Sequence, residues 1–223
     1  LRLKSEISFS IEKQGDHPLL SNLKITKFLE KTAEGSAVPG GGSIAALNAA
    51  ISASLSEMVA NLTVGKKGYE AVQKEMKAIT ATALKLRKKL VKDIDKDAAA
   101  YNAVMKAFKM PKNTEKQQDR RNQAIQAGLK NASLVPLGVA RDALSIMDLT
   151  AKVIRKGNKN AATDGAMAVL TARAAILGAL YNVKINLNFI EDHQFLKEMT
   201  KEVKRIESRV VKKEKEILSH VDI

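Results

Sequence analysis

Apolar residues recur along almost the whole chain with the spacing of α-helices. Between Tyr69 and Met110, apolar positions alternate between steps of three and four residues, at Tyr69, Val72, Met76, Ile79, Ala83, Leu86 and Leu90. This is the spacing of a coiled-coil seam. No segment shows the sustained two-residue alternation with β-branched residues that indicates a strand. The pattern therefore predicts an all-α fold.

Prolines, glycines and capping residues set the expected helix boundaries. The periodic segments predict helices over 25–33, 43–62, 69–110, 115–156, 164–187 and 193–221. Thr114, with Gln117 three residues later, predicts a capping box at the start of the fourth helix. Pro136 predicts a kink within that helix, and Gly157 a left-handed cap after it.

The organisation predicted for the chain is one domain. Residues 1–24 form a loose N-terminal segment, and residues 25–223 form a single antiparallel bundle of long helices without internal repeat or linker. The third and sixth helices both carry apolar residues in heptad phase. Because two such seams exceed what one small bundle is expected to bury, we expect a homodimer or larger assembly.

Composition narrows the chemistry that the protein can perform. The chain has 223 residues, no cysteine and only three histidines, which are far apart in sequence. This excludes a disulfide framework and argues against a metal site or a histidine triad, and it favours a cytoplasmic location. The uncharged stretch Val38–Ser56 has membrane length, but its proline, glycines and asparagine predict that it does not enter lipid.

The chain is strongly basic, with a formal net charge of +14. Such a charge indicates either an anionic partner or a solvated basic surface. Aromatic residues make up 4% of the chain, tryptophan is absent, and no known nucleic-acid-binding motif occurs, so nucleic acid is not the expected partner. A small polyanionic substrate is compatible with the charge, and the alternatives from other classes are a non-catalytic helical scaffold and a nucleic-acid binder.

Three consecutive glycines open the second helix. Gly40, Gly41 and Gly42 follow Pro39 and precede Ser43. A helix N-terminus has free backbone N–H groups and a positive dipole end, and the absence of side chains lets a ligand approach. The chain lacks the lysine and the preceding strand of a nucleotide-binding P-loop. The alternative is a tight turn that lets two helices pack.

Two aspartates extend the seam of the third helix. Continuing its spacing past Leu90 leads to Asp93 and Asp97, so at least one carboxylate is expected near the packed face. Burial raises the pKa of a carboxyl group and makes it a usable general acid or base. The alternative is an ion pair with Lys89 or Lys96, one helical turn away.

Polar residues also stand beside or within otherwise apolar helices. Asn158, Asn160 and Asp164 lie between the fourth and fifth helices, where Asp164 or the threonine before it is a plausible N-cap. Asn182 and Asn186 lie one turn apart on the fifth helix. A buried amide without a partner costs about 1–3 kcal/mol. These amides therefore bond to neighbouring backbone or to a ligand.

Taken in order, these stretches resemble the formiminotetrahydrofolate cyclodeaminase and methenyltetrahydrofolate cyclohydrolase family. The similarity covers roughly residues 25–192. The matching stretches are FLEKTAEGSAVPGGGSIAALNAA, MVANLTVGKKGYE, DIDKDAAAYNAVMKAFKMPK, RRNQAIQAGLKNA, GNKNAATD and NVKINL.

The resemblance implies an all-α, self-associating enzyme that cyclises 5-formiminotetrahydrofolate to 5,10-methenyltetrahydrofolate with release of ammonia. Cyclohydrolysis of the methenyl compound is the alternative. The reduced folate is the substrate, no further cofactor is expected, and a polyglutamate tail would explain the basic charge. We expect Asp97 to be the proton shuttle, with Asp164 as the second candidate. The expected folate contacts are Gly40, Gly41, Gly42, Ser43, Asn158, Asn160, Asn182 and Asn186.

One geometric limit applies to this set. Asp164 and Asn182 are eighteen positions apart on one helix, which corresponds to about 27 Å. They cannot both contact one pteridine ring within a subunit. They contact opposite ends of the folate, or the site lies between subunits, or one of them is structural.

Overall fold

A computed structural model describes residues 18–221, and these residues contain helices and turns but no strand. Three 3₁₀ turns occur, at Leu20–Asn22, Glu70–Val72 and Lys159–Ala161. The all-α bundle is thus confirmed, while most of the predicted N-terminal segment 1–24 lies outside the described residues. The six α-helices are α1 (Ile25–Ala33), α2 (Gly41–Asn61), α3 (Gln73–Phe108), α4 (Glu115–Lys156), α5 (Ala162–Leu187) and α6 (His193–Leu218).

The helices α2 and α5 form the centre of the bundle. Both are rich in alanine and nearly uncharged, so their backbones can approach closely. A Cβ built on Gly178 would lie 3.7 Å from the Cβ of Ala45, which is ordinary contact. The helices α3 and α4 pack against this pair and against each other, and α6 covers α4 and α5.

By length and composition alone, Gly41–Asn61 and Lys159–Leu187 could each cross a membrane. However, 56% of the most apolar window of the first segment and 50% of that of the second are buried inside the bundle. The apolar character of both segments therefore serves helix packing in this fold.

The seams of α3 and α6 face into the bundle. Met76, Ile79, Ala83 and Leu90 of α3 are buried, and so are Met199, Val203, Ile206, Val210 and Ile217 of α6. These seams are therefore not available to a second subunit, and the reason given above for self-association is wrong. The large apolar side chains that are exposed on the central helices are Ile51, Met58, Met167, Leu170, Tyr181 and Ile185.

The predicted caps are confirmed only in part. The Thr114 hydroxyl accepts the Gln117 N–H at 3.3 Å, as expected, but the Gln117 side chain accepts the N–H of Asn113 instead of closing the box. The helix α4 continues through Pro136. Asp164 is not an N-cap, because α5 already begins at Ala162 and no side-chain cap bond forms there.

Gly157 ends α4 but is not left-handed. Its φ is −83°, so the predicted left-handed cap is wrong. The need for glycine is steric, because a Cβ at this position would lie 2.4 Å from the carbonyl oxygen of Val153. The chain turns here by close approach of backbone to backbone.

Candidate active site

A cavity of about 650 Å³ lies where the N-terminus of α2 meets the second half of α3 and the last turns of α5. This volume suits a small organic ligand. Much of the wall is apolar and includes Val104, Met105, Phe108, Leu129, Ile185 and Phe189. Its polar groups come from the glycine turn, Asp97, Tyr101 and two asparagines. Among the described lining residues, Asp97 is the only one with a charged side chain.

The Asp97 carboxyl group lies directly against the glycine turn. A Cβ built on Gly42 would lie 1.9 Å from Asp97 Oδ1, a distance that real atoms cannot adopt. Glycine is therefore required here because α3 brings a carboxyl group against the first turn of α2. The backbone N–H of Ser43, in the first turn of α2, bonds to the same carboxyl group, since the N-terminal turn of a helix leaves its N–H groups without intrahelical partners.

Burial raises the pKa of Asp97 above the ordinary aspartate value. The hydroxyl and the backbone N–H of Ser43 act in the opposite direction, because they bond to the ionised form, but burial is the larger effect. A raised pKa brings a carboxyl group closer to the range in which it can both accept and return a proton during catalysis. This is the property that the sequence predicted for one of the seam aspartates.

The neighbouring aspartates have structural partners. Asp93 is 4% exposed and bonds to Lys89 at 2.8 Å and to Lys96 at 2.5 Å. The ion-pair alternative considered for the seam aspartates thus holds for Asp93. Asp95 accepts the backbone N–H of Leu20 at 2.6 Å. Of these three carboxyl groups, only that of Asp97 lines the cavity.

Asn182 and Asn186 also line the cavity, and the Asn182 side chain lies beside the glycine turn, with its amide nitrogen 3.3 Å from where a Cβ on Gly41 would be. The Asn182 amide donates to the carbonyl oxygen of Gly178 at 2.8 Å. The Asn186 amide donates to the carbonyl oxygens of Ala132 and Asn182, both at 2.9 Å. Neighbouring backbone thus fixes both NH₂ groups, and the two side-chain oxygens remain as acceptors for a ligand.

The four folate contacts predicted at the start of α2 divide into two groups. Gly40, Gly41 and Gly42 line the cavity. Ser43 does not, because it is fully buried behind Asp97, where its hydroxyl lies 3.1 Å from Asp97 Oδ2. The structure thus brings Ser43 into contact with the carboxyl group and not with the cavity.

The other predicted residues lie near the start of α5, away from this cavity. Asn158 is buried, and its backbone N–H donates to the Thr63 hydroxyl while its side chain accepts from Lys66 at 2.7 Å. It also accepts the N–H of Asn160 at 3.1 Å and so holds the turn before α5. Asp164 lies in the first turn of that helix. Asn158, Asn160 and Asp164 do not line the cavity. A substrate contact by any of them would therefore lie on a different surface of the protein.

Sequence reasoning missed the apolar wall. Phe108, Ile185 and Phe189 are each more than 40% exposed, although they belong to or adjoin helices with buried faces. The available signal was that the apolar stripe of α3 continues past Asp97 through Tyr101, Met105 and Phe108. Its meaning depends on helix packing, which the sequence does not specify.

Within residues 18–221, no group of three or more histidine, aspartate or glutamate side chains is placed to hold a metal ion. The carboxylates near the cavity instead bond to lysines, to backbone or to Ser43. The Asp97 carboxyl group at the cavity can provide proton transfer.

The raised pKa of Asp97 predicts how stability depends on pH. The folded protein binds a proton here more tightly than the unfolded chain, so this group's contribution to the unfolding free energy falls as pH rises from the ordinary aspartate pKa through the raised one. Asp97→Asn removes the titration. The melting temperature of the variant should therefore rise relative to that of the wild type as the pH increases across this interval. Thermal melts between about pH 3 and pH 8 test this, and a pH-independent difference would contradict it.

These features define an all-helical protein with a desolvated carboxyl group in a ligand-sized cavity. A family model described as formiminotransferase-cyclodeaminase matches residues 24–205. The chain therefore belongs to the formiminotransferase-cyclodeaminase family, as the motifs indicated.

Named relatives agree with this assignment. A methenyltetrahydrofolate cyclohydrolase of Methylorubrum extorquens is 38% identical over 83% of this chain and 89% of its own length. The formimidoyltransferase-cyclodeaminase of Sus scrofa is 32% identical over 85% of this chain, which spans only 35% of that longer protein. The crystal structure of a formiminotetrahydrofolate cyclodeaminase from Thermotoga maritima superimposes with a TM-score of 0.82 at 33% identity, covering 91% of this chain and 97% of that one.

Proposed function

We propose that this protein is a folate one-carbon enzyme that cyclises 5-formiminotetrahydrofolate to 5,10-methenyltetrahydrofolate and releases ammonia. The observation that carries the proposal is the Asp97 carboxyl group, desolvated at the wall of the cavity and aimed at the N-terminus of α2. Membership of the family and the names of the relatives support the substrate class.

The reaction needs one proton to move between two nitrogens. N10 attacks the carbon of the protonated formimino group on N5, and a new N10–C bond closes the five-membered ring. Asp97 accepts the proton from N10 and donates it to the departing amino group. The C–N bond then breaks, ammonia leaves and the methenyl cation remains. The carbon keeps its oxidation level throughout, so we propose no further cofactor.

The cavity offers complementary groups for a folate. Its apolar and aromatic side chains, including Phe108 and Phe189, provide surfaces for flat rings. The amide oxygens of Asn182 and Asn186 can accept N–H groups from a pteridine ring, and the free N–H groups of the glycine turn can donate to its carbonyl oxygen. Each type of ring edge thus finds a partner.

We infer that the glutamate tail leaves the cavity beside Lys109. A smaller pocket of about 190 Å³ shares Tyr101 and Met105 with the cavity and also includes Lys109. A flexible polyanion is attracted to the Lys109 ammonium group and to the net positive charge of the chain, and each added glutamate strengthens that attraction at low salt. A polyglutamylated folate therefore suits the charge of the chain better than nucleic acid does.

Cyclohydrolysis is the second candidate, favoured by the 38% identity to the Methylorubrum extorquens enzyme over nearly its whole length. In this reaction water adds to the methenyl carbon, the ring opens and 10-formyltetrahydrofolate forms. Asp97 would accept the proton of the attacking water and return it to N5 as the C–N5 bond breaks, while the added hydroxyl loses its proton to solvent and becomes the formyl oxygen. The same cavity serves both reactions, so the two differ in which substrate the protein accepts.

A paired assay decides between the two reactions. We expect the purified protein to produce the near-ultraviolet absorbance of the methenyl product from the formimino substrate, with release of ammonia. Loss of that absorbance from added methenyl substrate, with no reaction of the formimino compound, would replace the first proposal by the second. Failure to bind any reduced folate would favour a scaffold. Tight, steeply salt-dependent binding to DNA or RNA would favour a nucleic-acid binder.

We also propose a homodimer formed through the exposed apolar side chains of α2 and α5. Ile51, Leu170 and Tyr181 are among them, and exposed apolar side chains on two adjoining helices are the kind of surface that an interface buries. Sedimentation velocity at micromolar concentration should show a dimer. Leu170→Arg should shift it to the monomer because it would place a charge within the contact. A monomeric wild type would contradict the proposal.

A further inference from the structure

Ser43 is fully buried behind Asp97 and has two possible acceptors for one proton. Its Oγ lies 3.0 Å from the carbonyl oxygen of Ile94 and 3.1 Å from Oδ2 of Asp97. A hydroxyl group donates one hydrogen bond and accepts others. It therefore cannot donate fully to both oxygens at once. The protonation state of the carboxyl group determines which oxygen accepts the hydrogen bond.

We propose that Ser43 is a positioning residue whose hydrogen bond to Asp97 reverses direction when the carboxyl group gains or loses its proton. With Asp97 ionised, the Ser43 hydroxyl donates to Oδ2. With Asp97 protonated, its O–H donates to Ser43 Oγ, and the serine proton turns to the carbonyl oxygen of Ile94. Both arrangements use the same heavy-atom positions, so the carboxyl group can accept and return a proton without moving.

The surroundings give Ser43 this role among the described residues. Its hydroxyl and backbone N–H are the hydrogen-bond donors that act on the Asp97 carboxyl group. The charge of Asp93, one turn earlier on α3, is balanced by two lysines. The residues of α2, α4 and α5 that line the cavity carry no charge, and Tyr101 of α3 is the only other titratable side chain there.

The inference rests on the proposed function for its catalytic meaning, so its test has a readout besides activity. Carboxyl ¹³C NMR titrations of the wild type, Ser43→Ala and Ser43→Cys, with Asp97→Asn for assignment, measure the Asp97 pKa directly. We expect that pKa to rise in both serine variants, because the ionised form loses the stronger, charge-assisted bond. Cysteine fills the space that alanine would leave empty but donates only weakly through its thiol, so it guards against a cavity defect in the alanine variant.

Turnover should change in the same sense as the titration. The acid limb of the pH–rate profile should move to higher pH in both variants, because less carboxylate is present at a given pH. On the acid limb, turnover at a given pH should fall by roughly tenfold, the factor that corresponds to one hydrogen bond to a charged group.

Ser52→Ala is the matched control. Ser52 is a fully buried serine on the same helix, and its hydroxyl donates to the carbonyl oxygen of Ala168 at 2.6 Å, remote in sequence from Asp97. This variant should lose stability and leave the Asp97 pKa unchanged. An unchanged pKa in both Ser43 variants, or an equal shift in Ser52→Ala, would overturn the inference. A shift in a protein that turns over no folate would overturn only the proposed function.

Discussion

Asp97→Asn is expected to lower turnover of the formimino substrate by roughly 10²–10⁴-fold while binding of the folate is largely kept. Asparagine has the shape of aspartate but cannot accept and return the proton that moves between the two nitrogens. The cavity and the Ser43 contact remain, so the loss should fall on kcat and not on KM. Initial rates of methenyl formation, with folate binding measured by calorimetry, check both expectations.

Asp93→Asn is the matched control for this variant. Asp93 lies one turn earlier on the same helix, but its carboxylate is held by Lys89 and Lys96 and does not line the cavity. Its substitution should reduce stability and spare turnover of the protein that folds. Near-normal turnover of Asp97→Asn would remove Asp97 from the mechanism, and Asp164 would then be the next residue to test.

Gly42→Ala is expected to abolish most of the activity through one added methyl group. That methyl group would lie 1.9 Å from Oδ1 of Asp97 and 2.5 Å from its Cγ, so the carboxyl group must leave its position. Displacement of a reacting group by about 1 Å can cost a factor of about 10². Initial rates and a pH–rate profile should show a large loss of kcat together with an altered acid limb.

Gly138→Ala separates this effect from the general consequence of replacing glycine in a helix. Gly138 lies inside α4, and a Cβ there would contact nothing within 4 Å. Alanine should stabilise the protein at this position, by up to about 1 kcal/mol, without a change in turnover. If Gly42→Ala behaves like Gly138→Ala, the carboxyl group does not occupy the position that the structure gives it.

The fold was largely predictable because helix periodicity is a local property. The seam of α3 and the Thr114 cap depend on residues within one or two turns of each other, so the sequence alone is sufficient to place them. The direction in which a seam faces is not a local property, because it depends on how the helices pack. The seams of α3 and α6 were predicted to serve a second subunit, but they face inward because α2 and α5 form the central layer, and only the packed bundle reveals this.

The site was predictable at positions where a residue type has few structural roles that could account for it. A triple glycine at a helix start and an aspartate on an apolar seam indicated the two elements that meet in the cavity. Their contact could not be predicted, since Gly42 and Asp97 are 55 positions apart and touch only after α2 and α3 pack. Asn158 and Asn182 looked alike in sequence, yet one holds a turn and the other lines the cavity.

A crystal structure of the Asp97→Asn variant with a stable reduced folate, formylated at N5, tests the central claim most directly. We expect the pteridine ring in the cavity, against the glycine turn and the adjacent Asn182, with N10 within hydrogen-bonding distance of the substituted side chain at position 97 and the formyl group beside it. A folate bound near Asn158 and Asp164, at the opposite end of α5, would contradict the assignment of the cavity as the active site.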